Sequence, residues 1–344
     1  MGVAKAALLE IAHRLVERRG VAGLAVVGAP GGAPEAVWLP PSTPAEPACL
    51  AYSITKTFTA ALLLQLRDER RLALDDRLAR WFPRVPGSDR ISLRQLLNHT
   101  AGIPDYGSLA SYHEALRASP ATPWSFEQFA AETFEKGLRF EPGSGWAYSN
   151  PGYMLLRRIV EVTAETSSAL MIRDRIVRPL GLHRTFVAES RDDLAQLAPA
   201  ISRALVSNGA PRDVREHYHP GWVSHGVVAS TPSDIARFFD ALFGGALLSP
   251  RSRKDMTTLV PIGLAAESMA RWRTRSYGLG IMGDPDSDLG RLWGHNGGGP
   301  GYTASAVHAP DLQGITVCAM CAFEGEVDAE QVVFTVLDTL RRAP

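Results

Sequence analysis

Lysine, cysteine and long apolar runs are all scarce in this chain, and each scarcity excludes something. Three cysteines, Cys49, Cys318 and Cys321, cannot build a disulfide framework. Only four lysines accompany thirty-two arginines, and these 36 basic residues are matched by 36 acidic ones. With no net charge there is no bulk field to recruit nucleic acid or an anionic membrane, so neither is expected as a partner. No apolar stretch approaches transmembrane length. The opening residues do not read as a secretory leader, because Glu10, His13 and Arg14 interrupt its would-be apolar core and no small-residue cleavage site follows. Leu8, Ile11, Ala12 and Leu15 mark instead one face of an amphipathic helix over about 3–19, and a cytoplasmic location is the expectation.

What remains is an ordinary globular composition, 45% hydrophobic and 21% charged, over 344 residues, enough for one large or two intimately joined domains. Val21–Val27 and Glu35–Leu39 read as an antiparallel hairpin around a turn at Gly28–Pro34. From about 70 to 220 the pattern is mostly helical: a short helix opens at Leu74–Leu78, another follows Ser92 as its cap, and longer ones cover roughly 125–136, up to Val162, and 166–178. Thr231 caps a helix over Ile235–Leu242. Strand-like runs then recur at Tyr277–Met282, Arg291–His295, Tyr302–His308 and Ile315–Ala322, before a last helix over about 327–341. The simplest assembly is one α/β unit: a sheet region from 1–70 and 222–344, with a mainly helical insert over 71–221.

The chemistry is carried by three short stretches. In the first, Ser53-Ile54-Thr55-Lys56, an apolar run ends in the serine and a helical pattern starts at once, so Lys56 lies one turn beyond Ser53. A serine hydroxyl becomes a nucleophile when a partly desolvated lysine takes its proton, and a helix N-terminus supplies positive potential where an oxyanion would form. Chance alone gives roughly 0.3 such serine–lysine pairs in this composition, so the bare motif is weak and its apolar surroundings matter more. The second stretch is Tyr148-Ser149-Asn150, in a loop between helices. There Tyr148 offers a phenol whose anion a nearby ammonium would favour, as a base toward Ser53, and Asn150 offers an amide to lysine or substrate. The third is Trp293-Gly294-His295-Asn296-Gly297-Gly298-Gly299-Pro300-Gly301-Tyr302, whose glycines allow a strand to approach a ligand closely.

In this order the three resemble the serine β-lactamase and penicillin-binding-protein superfamily. Leu96-Leu97-Asn98-His99-Thr100-Ala101-Gly102-Ile103-Pro104, Phe140-Glu141-Pro142-Gly143 and Tyr148-Ser149-Asn150-Pro151-Gly152-Tyr153 are similar to its class C β-lactamase-like branch, which holds D-alanyl-D-alanine carboxypeptidases, D-aminopeptidases and family VIII esterases. The likeness spans about residues 20–340. It implies a β-lactamase/transpeptidase-like fold, an antiparallel sheet from both chain ends flanked by helices. It implies Ser53 as the acylated nucleophile, Lys56 as its proton partner and Tyr148 as the proton shuttle to the leaving group. Asn150, His295 and Gly297 then take the substrate-binding places, and the backbone N–H groups of Ser53 and Gly298 form the oxyanion hole. One departure counts: His295 and Asn296 stand where β-lactamases usually carry lysine and threonine. A neutral imidazole holds a carboxylate less well than an ammonium, which favours ester or amide substrates over β-lactams.

Other stretches carry less. Gly278-x-Gly280-x-x-Gly283 has the letters of a dinucleotide fingerprint, but Asp284-Pro285-Asp286 follows it where a helix is required, so strand then turn is expected. His217-x-His219 lacks a third ligand at metal-site spacing. Cys318 and Cys321 lie three apart on an expected strand and so point to opposite faces. His99 fits a loop-fixing role, and no Gly-x-Ser-x-Gly elbow occurs. The expectation is a serine hydrolase working through an acyl-enzyme on a small ester or amide, with neither metal nor organic cofactor. The alternatives are a β-lactamase or D-alanyl-D-alanine carboxypeptidase, and a catalytically silent binding scaffold.

Overall fold

The computed structural model describes residues 10, 21–39, 45–262, 271–324 and 328–342. The helix expected over 3–19 and the loop residues 40–44 lie outside the described residues, apart from Glu10. Strands β1 (Val21–Val27) and β2 (Glu35–Leu39) form the expected hairpin. Far along the chain come β3 (Val260–Pro261), β4 (Ser276–Tyr277), β5 (Met282–Ser287), β6 (Gly290–Gly299), β7 (Tyr302–Ala309) and β8 (Ile315–Ala322). All eight join one antiparallel sheet in the order β2-β1-β8-β7-β6-β5-β4-β3. Val26 pairs with Val317, so strands from the two ends of the chain lie side by side, next to the β2 edge of the sheet.

Alternation along β8 explains why this sheet is covered on both faces. Cys318, Met320 and Ala322 enter one apolar cluster, while Val317, Ala319 and Cys321 enter the other. Helix α1 (Thr55–Asp68) and helix α3 (Pro232–Gly244) contribute to the first cluster, and helix α4 (Ala329–Arg342) to the second. The two cysteines thus diverge, as their spacing on a strand requires. Helix α2 (Asn150–Ala164) packs beside α1 and carries Tyr153, Leu155 and Leu156 into the first core. No described helix is long and apolar enough to cross a membrane.

Three expectations need correction. Leu74–Leu78 opens no helix: Asp76 Oδ2 accepts the Ala73 backbone N–H at 2.9 Å, and that turn leads only into a single 3-10 turn at Leu78–Arg80. The run Tyr277–Met282 is not one strand. Gly280, with φ +75°, folds Gly278–Ile281 down onto α1, where its carbonyl accepts the Thr57 hydroxyl at 2.7 Å. The sheet resumes at Met282 and runs through Asp284-Pro285-Asp286, which therefore lie in a strand with an irregular register rather than in a turn.

Candidate active site

Helix α1 is buried nearly all round, including Lys56 at 0% exposure, which few lysines show. Its first turn is pinned from two sides by flanking threonines. Thr55 Oγ1 accepts the Val228 N–H at 2.9 Å, and Thr57 Oγ1 donates to Gly280 O. Ser53 sits just before it in a 3-10 turn, Tyr52–Ile54, preceded by the left-handed Tyr52 (φ +43°). That strained residue is anchored by its hydroxyl donating to Pro300 O at 2.7 Å.

Lys56 makes three polar contacts through Nζ: to Ser53 Oγ at 3.2 Å, to Asn150 Oδ1 at 2.7 Å and to His225 Nε2 at 3.1 Å. The Tyr148 ring lies under the same nitrogen, 4.8 Å from its centroid, with the phenol within hydrogen-bonding reach of Ser53. Burial drives the lysine well below its ordinary pKa, with Asp105 pulling weakly the other way. Burial drives the Tyr148 phenol up, against the hydrogen bond to Ser53. Burial thus favours the uncharged form of both groups, the amine of Lys56 and the phenol of Tyr148.

The segment holding Tyr148 and Asn150, where the loop enters helix α2, is fixed from below. His99, itself left-handed at φ +63°, accepts the Ser149 N–H on Nδ1 at 3.2 Å and packs 4.4 Å from the Tyr148 ring. His99 thus holds this segment by a hydrogen bond and by ring packing. Asp105 Oδ1 accepts the Asn150 backbone N–H at 2.8 Å, and Oδ2 accepts that of Gly107 at 3.1 Å.

Strand β6 completes the arrangement unequally. Gly297 is jammed against the nucleophile turn: a Cβ there would meet Ala51 O at 2.1 Å and Ser53 N at 3.3 Å. At Gly298 a Cβ would meet nothing within 4 Å, and this residue lines a cavity together with Ser53. His295 shares the face of Gly297 and is fully buried. Its Nδ1 lies 2.6 Å from Asn296 O and its Nε2 2.7 Å from the Tyr277 hydroxyl. A carbonyl oxygen only accepts, so Nδ1 carries the proton and Nε2 accepts from Tyr277. Burial, with Lys56 adding to it, brings the imidazole down to about 3. The ring expected to face a substrate carboxylate is neutral, saturated with partners and absent from the cavity wall. Asn296, on the opposite face, accepts from Ser305 Oγ at 2.8 Å.

The cavity beside Ser53 measures about 260 Å³. Tyr52, Tyr106, Tyr112, Tyr218 and Trp222 give it aromatic walls, and Asn150 and His225 add polar ones. Among the described residues no acidic or basic side chain other than histidine lines it. Two residues at this site gave no signal in the sequence. Asp105 follows a quoted loop by one residue, and His225 sits in Trp222-Val223-Ser224-His225-Gly226, 169 residues from Lys56. His217 and His219 turn to local backbone instead, at Asp213 O and the Gly221 N–H. Among the described residues no cluster of histidine, cysteine and acidic side chains could hold a metal ion.

A two-ended antiparallel sheet with a buried Ser-x-x-Lys helix against it defines the β-lactamase and penicillin-binding-protein-like class of fold. A D-stereospecific amidohydrolase from Streptomyces sp. superimposes on it with a TM-score of 0.81 at 28% identity, covering 96% of this chain and 97% of that one. The sequence matches the family described as Beta-lactamase over residues 9–338, and the chain belongs to that family. A penicillin-binding protein of Bacillus subtilis (strain 168) is 28% identical over 298 residues, 82% of this chain and 62% of the relative. A D-aminopeptidase of Brucella anthropi is 26% identical over 303 residues, 85% of this chain and 52% of the relative. The chain thus spans between half and two thirds of the length of these two relatives.

Proposed function

We propose that this chain is a serine hydrolase that carries the acyl group of a small amide or ester as an ester on Ser53. The observation that carries the reading is the Lys56 amine 3.2 Å from Ser53 Oγ, desolvated and below its ordinary pKa. As Oγ bonds to the substrate carbonyl carbon, its proton passes to Lys56 Nζ. The tetrahedral oxyanion is held by the backbone N–H groups of Ser53 and Gly298. Tyr148, a neutral phenol beside both groups, donates a proton to the leaving amine or alkoxide and recovers one from Lys56. Water then attacks the ester by the same route in reverse. Asn150 positions Lys56, and Gly297 lets the strand close on the nucleophile turn.

The cavity favours an acyl group without formal charge. Its aromatic walls suit an apolar side chain, and neither His295 nor the amine Lys56 presents a cation to a β-lactam carboxylate. The relatives named as a D-stereospecific amidohydrolase and a D-aminopeptidase support amide chemistry at the same site. The test is intact-mass detection of a fluorophosphonate adduct on Ser53, with steady-state turnover of p-nitrophenyl butyrate, D-phenylalanine amide and nitrocefin. Ser53→Ala should take no label and lose turnover with an unchanged melting curve, and nitrocefin should be the poorest substrate. A labelled, active Ser53→Ala would defeat the mechanism; nitrocefin as best substrate would defeat the reading of the cavity.

A further inference from the structure

His225 takes no part in the steps above, yet its ring is 3% exposed, lines the cavity and touches Lys56 Nζ through Nε2 at 3.1 Å. Its Nδ1 is buried with no hydrogen-bond partner among the described residues. A buried imidazole nitrogen without a hydrogen bond is a destabilising loss of its contact with water. The bond to Lys56 is therefore the ring's one polar return on its burial.

Counting protons at Lys56 shows what that bond does. A neutral amine has two N–H donors and one lone pair. Asn150 Oδ1 can only accept, which takes one donor. The orientation of that amide is itself fixed, because Asn150 donates its backbone and side-chain N–H groups to Asp105. If His225 Nε2 takes the second donor, the lone pair is left facing the third neighbour, Ser53 Oγ. If Nε2 carried a proton instead, it would donate to the lysine and occupy the same lone pair, leaving nothing to receive the serine proton. Only one of the two imidazole tautomers allows the transfer.

We propose that His225 is a positioning residue for this transfer: unprotonated at Nε2 and protonated at Nδ1, it accepts from Lys56 and turns the lysine lone pair onto Ser53 Oγ. The proposal rests on the serine hydrolase reading. It balances through the step: when Oγ bonds to the acyl carbon and its proton moves to Nζ, the new ammonium has three N–H groups. Asn150 Oδ1, His225 Nε2 and the Ser53 oxygen are the three acceptors that meet them. Lys56 therefore alternates between amine and ammonium without moving a neighbour. Burial holds the imidazole well below its ordinary pKa, which keeps it in the neutral form that the arrangement needs.

Two measurements test this. Nitrogen-15 NMR of histidine-labelled protein, with the His225 signal assigned by its loss in His225→Gln, should show the Nδ1–H tautomer. The Nε2–H tautomer overturns the proposal. The second is the rate of fluorophosphonate labelling in folded variants. His225→Leu should be slowed on the order of tenfold or more, because the lysine loses its second acceptor. His225→Gln should recover most of that loss, since its Oε1 can accept where Nε2 did. Wild-type labelling in His225→Leu, or a His225→Gln no faster than it, overturns the proposal. Should His225→Leu fail to fold, the tautomer and the His225→Gln rate against wild type decide. A wild-type protein that takes no label at Ser53 overturns the hydrolase reading itself, an outcome distinct from a labelled wild type with the wrong tautomer.

Discussion

Asp105 holds Asn150 by its backbone: Oδ1 accepts the Asn150 N–H at 2.8 Å, while the Asn150 side-chain oxygen meets Lys56 Nζ at 2.7 Å. The carboxylate thus acts on the lysine twice, by orienting its hydrogen-bond partner and through its charge. Burial pushes Asp105 up, against the backbone N–H of Asn150, the Lys56 charge and the N–H of Gly107.

That double action sets the first prediction. The proposed base is neutral Lys56, so kcat/KM rises with pH through the lysine's ionisation. Asp105 opposes burial by favouring the ammonium, which raises that ionisation. Asp105→Asn removes the charge, and the acid limb of the pH–rate profile should move to lower pH. The variant should also lose about 1–2 kcal/mol of stability, because its amide cannot accept from both Asn150 and Gly107. A limb that stays in place or moves to higher pH would show that the charge does not reach Lys56.

The second prediction separates two neighbouring glycines. Gly297→Ala drives a Cβ to 2.1 Å from Ala51 O, backbone that cannot yield without shifting the Ser53 turn. It should lower stability by about 1–3 kcal/mol and remove most of kcat. Gly298→Ala meets nothing within 4 Å and should melt within about 0.5 kcal/mol of wild type, its effect confined to substrate binding. Equal melting temperatures for the two variants, each active, would contradict the close approach of β6.

The third concerns stability in acid. His308 is 5% exposed, stacked on Phe243, and brought down to about 4 by burial. Its folded pKa lies below the unfolded one, so the unfolded chain binds more protons between the two values. The contribution is complete above pH ~6.5 and is lost as pH falls toward 4, amounting to roughly 2 kcal/mol by pH 5. His99, His225 and His295 act in the same direction, whereas the raised carboxylates Glu46 and Glu330 partly offset them. His308→Phe keeps the stacking and removes the titration, so its melting temperature should fall less than wild type between pH 7.5 and pH 5. Parallel curves for the two proteins would rule this group out.

The local features of this protein are legible in its amino-acid order. Ser53 and Lys56 share one helical turn, Thr231 and Ser92 cap their helices, and alternation along β8 sends Cys318 and Cys321 apart, because each depends only on neighbours a few positions away. The order of the three motifs carried the fold and family as well. Tertiary structure alone decided how the site is tuned. Packing disfavours the charged form of each group, and so lowers the pKa of Lys56 and raises that of Tyr148. Whether His295 meets substrate depends on Tyr277 occupying its ring. Asp105 and His225 reach the lysine from loops that no spacing connects to it. Desolvation and hydrogen-bond partnership are properties of a packed neighbourhood, and that neighbourhood is assembled from distant parts of the chain.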